Sequence, residues 1–153
     1  MDSQLNRKIQ IYNCCKIYIE QRIATIQLAV NNAREASTED TKSSMGDKYE
    51  TTRAMMHFEQ EKLGTQMKEA NKLQQILLKI NPEITGKKVA TGSLVITDIG
   101  NYYIAIGAGK FDIEGTIYFA VSLTAPLAQI MMGKHTGDKI KFNDRVYTIL
   151  EVL

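Results

Sequence analysis

The chain has 153 residues, of which 44% are hydrophobic and 24% are charged, proportions that are ordinary for a soluble globular protein. This length leaves room for a helical hairpin and one small domain with its own core. The formal net charge of +2 is too small to predict a broad nucleic-acid-binding face.

The start of the chain and its two cysteines both indicate a cytoplasmic protein. The first ten residues are polar and charged, so we expect no signal peptide. No apolar run approaches the roughly 18 residues that cross a bilayer, and we expect no membrane partner. Cys14 and Cys15 are neighbours on a predicted helix, where their side chains diverge, so a disulfide between them is not expected. We interpret both as small semi-apolar residues beside a helix seam.

The first predicted helix spans about Ser3 to Ala36. Its apolar residues keep a 4-3 spacing, interrupted only by Lys16, and such spacing forms the narrow stripe that a coiled-coil seam requires. The residues of this stripe are Leu5, Ile9, Tyr12, Ile19, Ile23, Ile26, Val30 and Ala33. Residues 37–47 then carry turn formers and polar side chains in place of the stripe.

The second predicted helix begins near Asp47 and ends at about Ile80. Asp47 and Glu50 have the spacing of a capping box, and Pro82 disfavours helix in the residue before it. The second, rougher stripe consists of Met56, Leu63, Met67, Ala70, Leu77 and Ile80. Two helices of about 32 residues are each about 50 Å long. Residues 1–81 therefore predict an antiparallel coiled-coil hairpin with an acidic tip loop near residues 37–47.

The pattern changes after residue 82, because glycines recur and the apolar residues gather in short β-branched and aromatic runs. The predicted strands are Ser93–Ile99, Tyr102–Ile106, Thr116–Val121, Lys139–Phe142 and Arg145–Val152. One short helix follows Pro126, with Leu127, Ile130 and Met131 on its buried face and Gly133 at its end. Residues 82–153 thus predict an antiparallel sheet with one helix, and the whole chain is of the α+β class.

Several short motifs of this second half occur in the order found in a known family. They are Gly92–Val95 (GSLV), Tyr102–Gly107 (YYIAIG), Ala120–Ser122 (AVS), Ala125–Ala128 (APLA), Gly133–Lys134 (GK), Gly137–Ile140 (GDKI) and Tyr147–Val152 (YTILEV). Together they resemble the C-terminal domain of the GreA/GreB transcript cleavage factors, over residues 92–153. That family also places an antiparallel coiled coil before an FKBP-like domain, and Tyr49 is similar to the tyrosine that follows its tip.

The resemblance implies a function at bacterial RNA polymerase. Gre factors bind the polymerase through the globular domain and insert the hairpin into its secondary channel, where it contacts nascent RNA indirectly. Two acidic tip residues help to hold a second Mg²⁺, so that the polymerase cuts its own backtracked transcript. Carried over to this chain, Glu39 and Asp40 are the expected metal-engaging acids, and Asp47 is a third candidate for the catalytic contribution. The protein itself would then be no enzyme and would bind no cofactor when free.

The tip differs from the family pattern in its spacing. The first acid of the family tip lies seven residues before the tyrosine, a position occupied here by Lys42, whereas Asp40 lies two residues earlier. Each acid also has a structural explanation, since Asp47 with Glu50 can cap a helix and Glu39 with Asp40 can form a solvated turn. A Gre-type factor that occupies the channel without stimulating cleavage is therefore an alternative.

Two further classes of function stay open from the sequence. An FKBP-like prolyl isomerase would need an aromatic pocket, and the second half supplies aromatic residues but no tryptophan. These are Tyr102, Tyr103, Phe111, Tyr118, Phe119, Phe142 and Tyr147. A coiled-coil adaptor or dimer is the other class. His57 and His135 lack ligand spacing and are interpreted as surface residues, and the methionines Met55, Met56 and Met67 as seam residues.

Overall fold

The N-terminal half consists of two long helices. The structure, a computed structural model, describes residues 3–42 and 46–153, and the side chains of residues 3–36 and 50–153. Helix α1 spans Ser3–Lys42 and helix α2 spans Gly46–Leu78. Helix α1 therefore continues six residues beyond the expected end at Ala36, through sequence in which turn-forming residues are common.

The two predicted stripes face inward along the hairpin. Every residue of both stripes is buried or partly buried, and Ile19, Leu63 and Ala70 are at most 7% exposed. The apolar 4-3 spacing thus identified the packed faces of both helices. Met55 is an exception to the seam interpretation of the methionines, because 69% of it is exposed.

The C-terminal half contains six strands and one short helix. The strands are β1 (Leu94–Thr97), β2 (Asn101–Ala105), β3 (Gly109–Ile113), β4 (Thr116–Ser122), β5 (Lys139–Phe142) and β6 (Arg145–Val152), and helix α3 spans Pro126–Met131. A helical hairpin followed by a sheet with one helix confirms the predicted α+β class. Strand β3 was not predicted, because its sequence contains only two large apolar residues and begins with a glycine.

The strand order in the sheet is β3-β4-β2-β1-β6-β5. All pairings are antiparallel except that of β2 with β4, which is parallel, so the sheet is mixed rather than wholly antiparallel. The β5–β6 connection is a tight turn at Asn143 and Asp144. Both residues have positive φ angles, 51° and 62°, as a two-residue hairpin turn of type I′ requires.

The sheet is covered on both faces at its centre. On one face, helix α3 buries Ala128 and Met131 in a core cluster that includes Ile104 and Ile149. The predicted buried face of α3 was partly wrong, since Ile130 is 37% exposed. Ala128, three residues before Met131, is buried instead. Strand β2 is buried at four consecutive residues, which is typical of a strand packed on both sides.

The contacts of the chain divide it into two compact units. The first comprises Met1–Tyr18 with Gln75–Leu153, and the second comprises Ile19–Gln74. The division expected from the sequence, at residues 81 and 82, stays a prediction. The first four turns of α1 belong to the same unit as the sheet. Within the described ranges, none of the helices is long and apolar enough to cross a bilayer.

Specific side-chain contacts hold the start of α1 within the first unit. Arg7 donates from Nη1 to the Ile113 carbonyl at 2.6 Å and from Nη2 to Glu114 Oε2 at 2.8 Å. Tyr12 Oη donates to the Leu77 carbonyl at 2.9 Å. These polar contacts fix the rotation of α1, so that a second face of the helix turns inward.

That second face carries the buried cysteine. Ile11 and Cys15 are both fully buried, at the four-residue spacing of one helix face. Burial, with a smaller contribution from Cys14, raises the pKa of the Cys15 thiol to about 12. Burial raises the pKa of Tyr103 above its usual value, with smaller contributions from nearby Cys15 and Tyr12. Cys15 is therefore a core residue rather than one beside the seam.

Candidate functional site

The three candidate acids lie on either side of the connection between the two long helices. Glu39 and Asp40 are in the last turn of α1, which ends at Lys42, and Asp47 is the second residue of α2. Their side chains lie outside the described residues, as does the capping role expected for Asp47. The backbone places all three in helical turns rather than in the predicted loop, with only residues 43–45 between the two helices.

The first described turns of α2 carry charged, exposed side chains. Glu50, Arg53 and His57 line an open concavity of about 560 Å³ along this helix. His57 Nε2 lies 3.2 Å from Glu61 Oε1, one turn further along. Among residues with described side chains, no group of three or more His, Cys, Asp or Glu could hold a metal ion.

Two large apolar side chains on α2 are exposed. Met55 is 69% exposed and Phe58 is 68% exposed, and their three-residue spacing places them on one helix face. Sequence reasoning did not single out Phe58, although its position outside the apolar stripe of α2 predicts an outward-facing side chain. Two exposed apolar side chains are common on protein surfaces and do not by themselves identify a binding surface.

The motifs that carry the family resemblance lie in the first of the two compact units, Met1–Tyr18 with Gln75–Leu153, which contains the sheet and is named the sheet unit. Several of them determine its turns. Pro126 is the first residue of α3, where its fixed φ angle is favourable. Gly133 and Gly137 have φ angles of 81° and 93°, which most other residues adopt only with strain. Asp138 Oδ2 accepts a hydrogen bond from the His135 amide at 2.7 Å. These residues therefore close the turns between α3 and β5.

The remaining motif residues are mostly core residues. Ser93 Oγ accepts a hydrogen bond from the Ala90 amide at 2.9 Å and is buried. Tyr147 packs edge-on against Tyr102 with ring centroids 6.3 Å apart. Burial and the neighbouring Tyr147 raise the pKa of Tyr102 to about 12. The resemblance thus concerns residues that determine the fold of this unit.

The same aromatic residues bear on the isomerase interpretation. Tyr102, Tyr103, Tyr118 and Tyr147 are each at most 9% exposed, so their rings pack inside the unit. A prolyl-binding pocket would need aromatic rings that a substrate can reach. The isomerase interpretation stays a prediction and gains no support from this packing.

Comparison with known proteins shows a structural similarity at low sequence identity. No family model and no curated protein matches the chain. The chain is similar to a solved structure of the transcription factor Gfh1, with 15% sequence identity and a TM-score of 0.34, over 86% of this chain and 92% of that chain. A similarity at this level does not establish a common function.

Proposed function

We propose that the protein is a Gre-type transcription elongation factor of the bacterial cytoplasm. The observation that carries the proposal is the position of three acids beside residues 43–45, where α1 and α2 meet. The family motifs at the turns and core of the sheet unit support it. The sheet unit would bind RNA polymerase, and the hairpin would enter the secondary channel towards the backtracked RNA.

The chemistry proposed for the acids is the supply of carboxylate ligands to the polymerase. Mg²⁺ prefers hard oxygen ligands and keeps several of its waters. Glu39 and Asp40 could therefore place an ion that they would not hold alone, with Asp47 as an additional acid. Two metal ions then stabilise the attacking and leaving oxygens of phosphodiester hydrolysis. The protein would be a cofactor of the polymerase and not an enzyme itself.

The length of the helices is compatible with this task. Helix α1 has 40 residues, which corresponds to about 60 Å at 1.5 Å per residue. Exposed Met55 and Phe58 on α2 would contact the walls of the channel. Because these two side chains gain nothing for the hairpin seam, a partner surface explains them better than packing within the chain.

A second candidate function is a channel regulator that does not stimulate cleavage. Lys42 occupies the position, seven residues before Tyr49, at which the family carries its first acid. A cation there would repel Mg²⁺ rather than bind it. Such a factor would still bind the polymerase and would compete with true cleavage factors.

A cleavage assay distinguishes these two candidates. Purified bacterial polymerase is stalled on a backtracked, end-labelled RNA, and the release of short 3′ fragments is measured with and without the protein. We expect release with the wild type, loss of release with Glu39→Ala/Asp40→Ala, and smaller losses with Asp47→Asn. The matched control is Glu20→Ala/Glu59→Ala, which removes two exposed acids elsewhere on the same helices.

The result also decides between the candidates. Failure of the wild type to release fragments, while it still binds polymerase, would overturn the cleavage proposal and favour the regulator. Equal activity of wild type and the Glu39→Ala/Asp40→Ala variant would contradict the assignment of the acids.

A further inference from the structure

We propose that a cavity around Lys8, inside the first unit, binds a small organic anion with an apolar body and a single carboxylate or phosphate group. The proposal rests on the shape of this cavity and on the charged and apolar residues that line it. It is independent of the function proposed above.

The cavity has the size and the walls of a small-molecule site. Its volume is about 520 Å³, within the range of about 300–1,000 Å³ that is common for ligand pockets. Ile76, Ile80, Ile84 and Leu123 supply apolar walls. These walls would bury a short hydrocarbon body, which is the main source of affinity in such pockets.

The charged group of this cavity is Lys8. Only 3% of Lys8 is exposed, and Nζ donates a hydrogen bond to the Ile84 carbonyl at 2.8 Å. Among the described residues, no carboxylate forms an ion pair with it. A buried ammonium group is destabilised unless an opposite charge compensates it. Burial accordingly lowers the pKa of Lys8.

Besides its apolar walls, the cavity has a part that is lined by positively charged and polar residues. Lys79 and Lys88 also line the cavity, together with Thr85 and Thr91, and the lining contains no acidic residue. Three lysines around one cavity produce a positive potential that attracts anions. An anionic group beside Lys8 would supply the missing opposite charge, and this reasoning identifies the charge of the ligand.

The competing explanation is that Lys8 only fastens α1 to the segment around Ile84. A neutral polar side chain could form that single bond to a carbonyl without burying a charge. The fastening explanation also gives no role to Lys79 and Lys88, which are exposed. A bound anion accounts for all three lysines and for the apolar walls together.

The test measures binding of chosen probes to the full chain by isothermal titration calorimetry. Octanoate and octyl phosphate carry both features of the proposed ligand, octanol lacks the charge, and inorganic phosphate lacks the apolar body. We expect 1:1 saturable binding of octanoate or octyl phosphate. Binding of octanol and inorganic phosphate should be at least about tenfold weaker, because a hydrogen bond to a charged group or an apolar contact is lost.

Matched variants assign the binding to this cavity. Lys8→Met keeps the length of the side chain and should weaken octanoate binding at least about tenfold, whereas Lys16→Met, on an exposed part of the same helix, should leave it unchanged. Because Lys8→Met also removes the hydrogen bond to the Ile84 carbonyl, Lys79→Gln/Lys88→Gln gives a second test on exposed residues and should weaken binding about threefold to tenfold. Its control is Lys87→Gln, an exposed neighbour outside the cavity lining.

Three results would overturn the proposal. The first is no saturable binding of either anion up to about 10 mM. The second is equal affinity for octanol and octanoate. The third is binding that neither Lys8→Met nor Lys79→Gln/Lys88→Gln weakens relative to its control.

Discussion

The two units of this chain are stabilised in different ways. The sheet unit has a core cluster that includes Val95, Ile104 and Met131, and side-chain hydrogen bonds that join residues more than 60 positions apart. In the described part of residues 19–74, burial instead follows one helix seam. The buried apolar residues there are Ile19, Ile26, Leu63 and Ala70. Helices of this kind depend on packing of one apolar face, so the hairpin should open at lower free energy than the sheet unit.

The largest predicted effect compares the same substitution in both units. Ile104→Ala should lower the free energy of unfolding by about 4 kcal/mol, and Ile26→Ala by about 2 kcal/mol, because a helix seam can relax around the cavity more easily. Urea unfolding measures both values. Hydrogen exchange should show loss of protection in the sheet unit for Ile104→Ala and only in residues 19–74 for Ile26→Ala. Equal losses in both variants would contradict the difference between the units.

The next effect is a fall in stability at alkaline pH that arises from Cys15. Its pKa is about 12 in the folded protein against an ordinary thiol value of 9.0, so the folded state holds the thiol proton more tightly than the unfolded state. The contribution of Cys15 is complete below about pH 9 and is lost as the pH rises towards about 12. The loss should be on the order of 2 kcal/mol by about pH 11.

Variants separate Cys15 from the other groups that titrate in this range. Tyr102 also has a raised pKa, so wild type and Cys15→Ala are compared across the same pH interval. The alkaline decrease should be smaller in Cys15→Ala, and Cys14→Ala should resemble the wild type. An identical decrease in all three proteins would show that Cys15 does not contribute.

A smaller effect concerns the contact between α1 and β3. Arg7→Ala should destabilise the sheet unit by about 1–2 kcal/mol, because it removes the hydrogen bond to the Ile113 carbonyl. Glu114→Gln should change stability by less than about 0.5 kcal/mol, since the Glu114 side chain is 76% exposed. Thermal unfolding of both variants checks this order. A larger effect of Glu114→Gln would indicate that the ion pair matters more than the carbonyl bond.

The smallest predicted effect is stabilising and belongs to the hairpin. Gly64 lies within α2, and a Cβ atom there would meet nothing within 4 Å. Gly64→Ala should therefore stabilise the hairpin by about 0.5–1 kcal/mol, through the higher helix propensity of alanine. Hydrogen exchange of residues 19–74 measures the change. A destabilised hairpin would mean that the glycine permits a bend that the helix requires.

The sequence predicted those elements whose signal is local. The 4-3 stripes identified both helices and their packed faces, and Pro126 and Gly133 identified α3. Strand β3 was missed because it lies at the sheet edge, where its residues are largely exposed and the alternation of apolar residues is weak. The parallel pairing of β2 with β4 was missed because pairing partners are set by tertiary contacts rather than by local sequence.

The candidate site was predictable only in part. The chemistry proposed for Glu39, Asp40 and Asp47 rests on the resemblance and stays a prediction. Their position within helical turns was not predicted, since polar residues such as Ser37 and Thr38 give a turn signal even within a helix. The inward face of α1 at Lys8, Ile11 and Cys15 was also missed. Cys15 was interpreted as a residue beside the seam, and Ile11 lay outside the predicted stripe.

The most direct test of the central claim is co-sedimentation of the full chain with bacterial RNA polymerase. The account predicts a stable complex that survives Glu39→Ala/Asp40→Ala, because the proposed polymerase contact lies in the sheet unit and the acids act only in cleavage. A chain that sediments with its own mass in the presence of excess polymerase would contradict the proposed function.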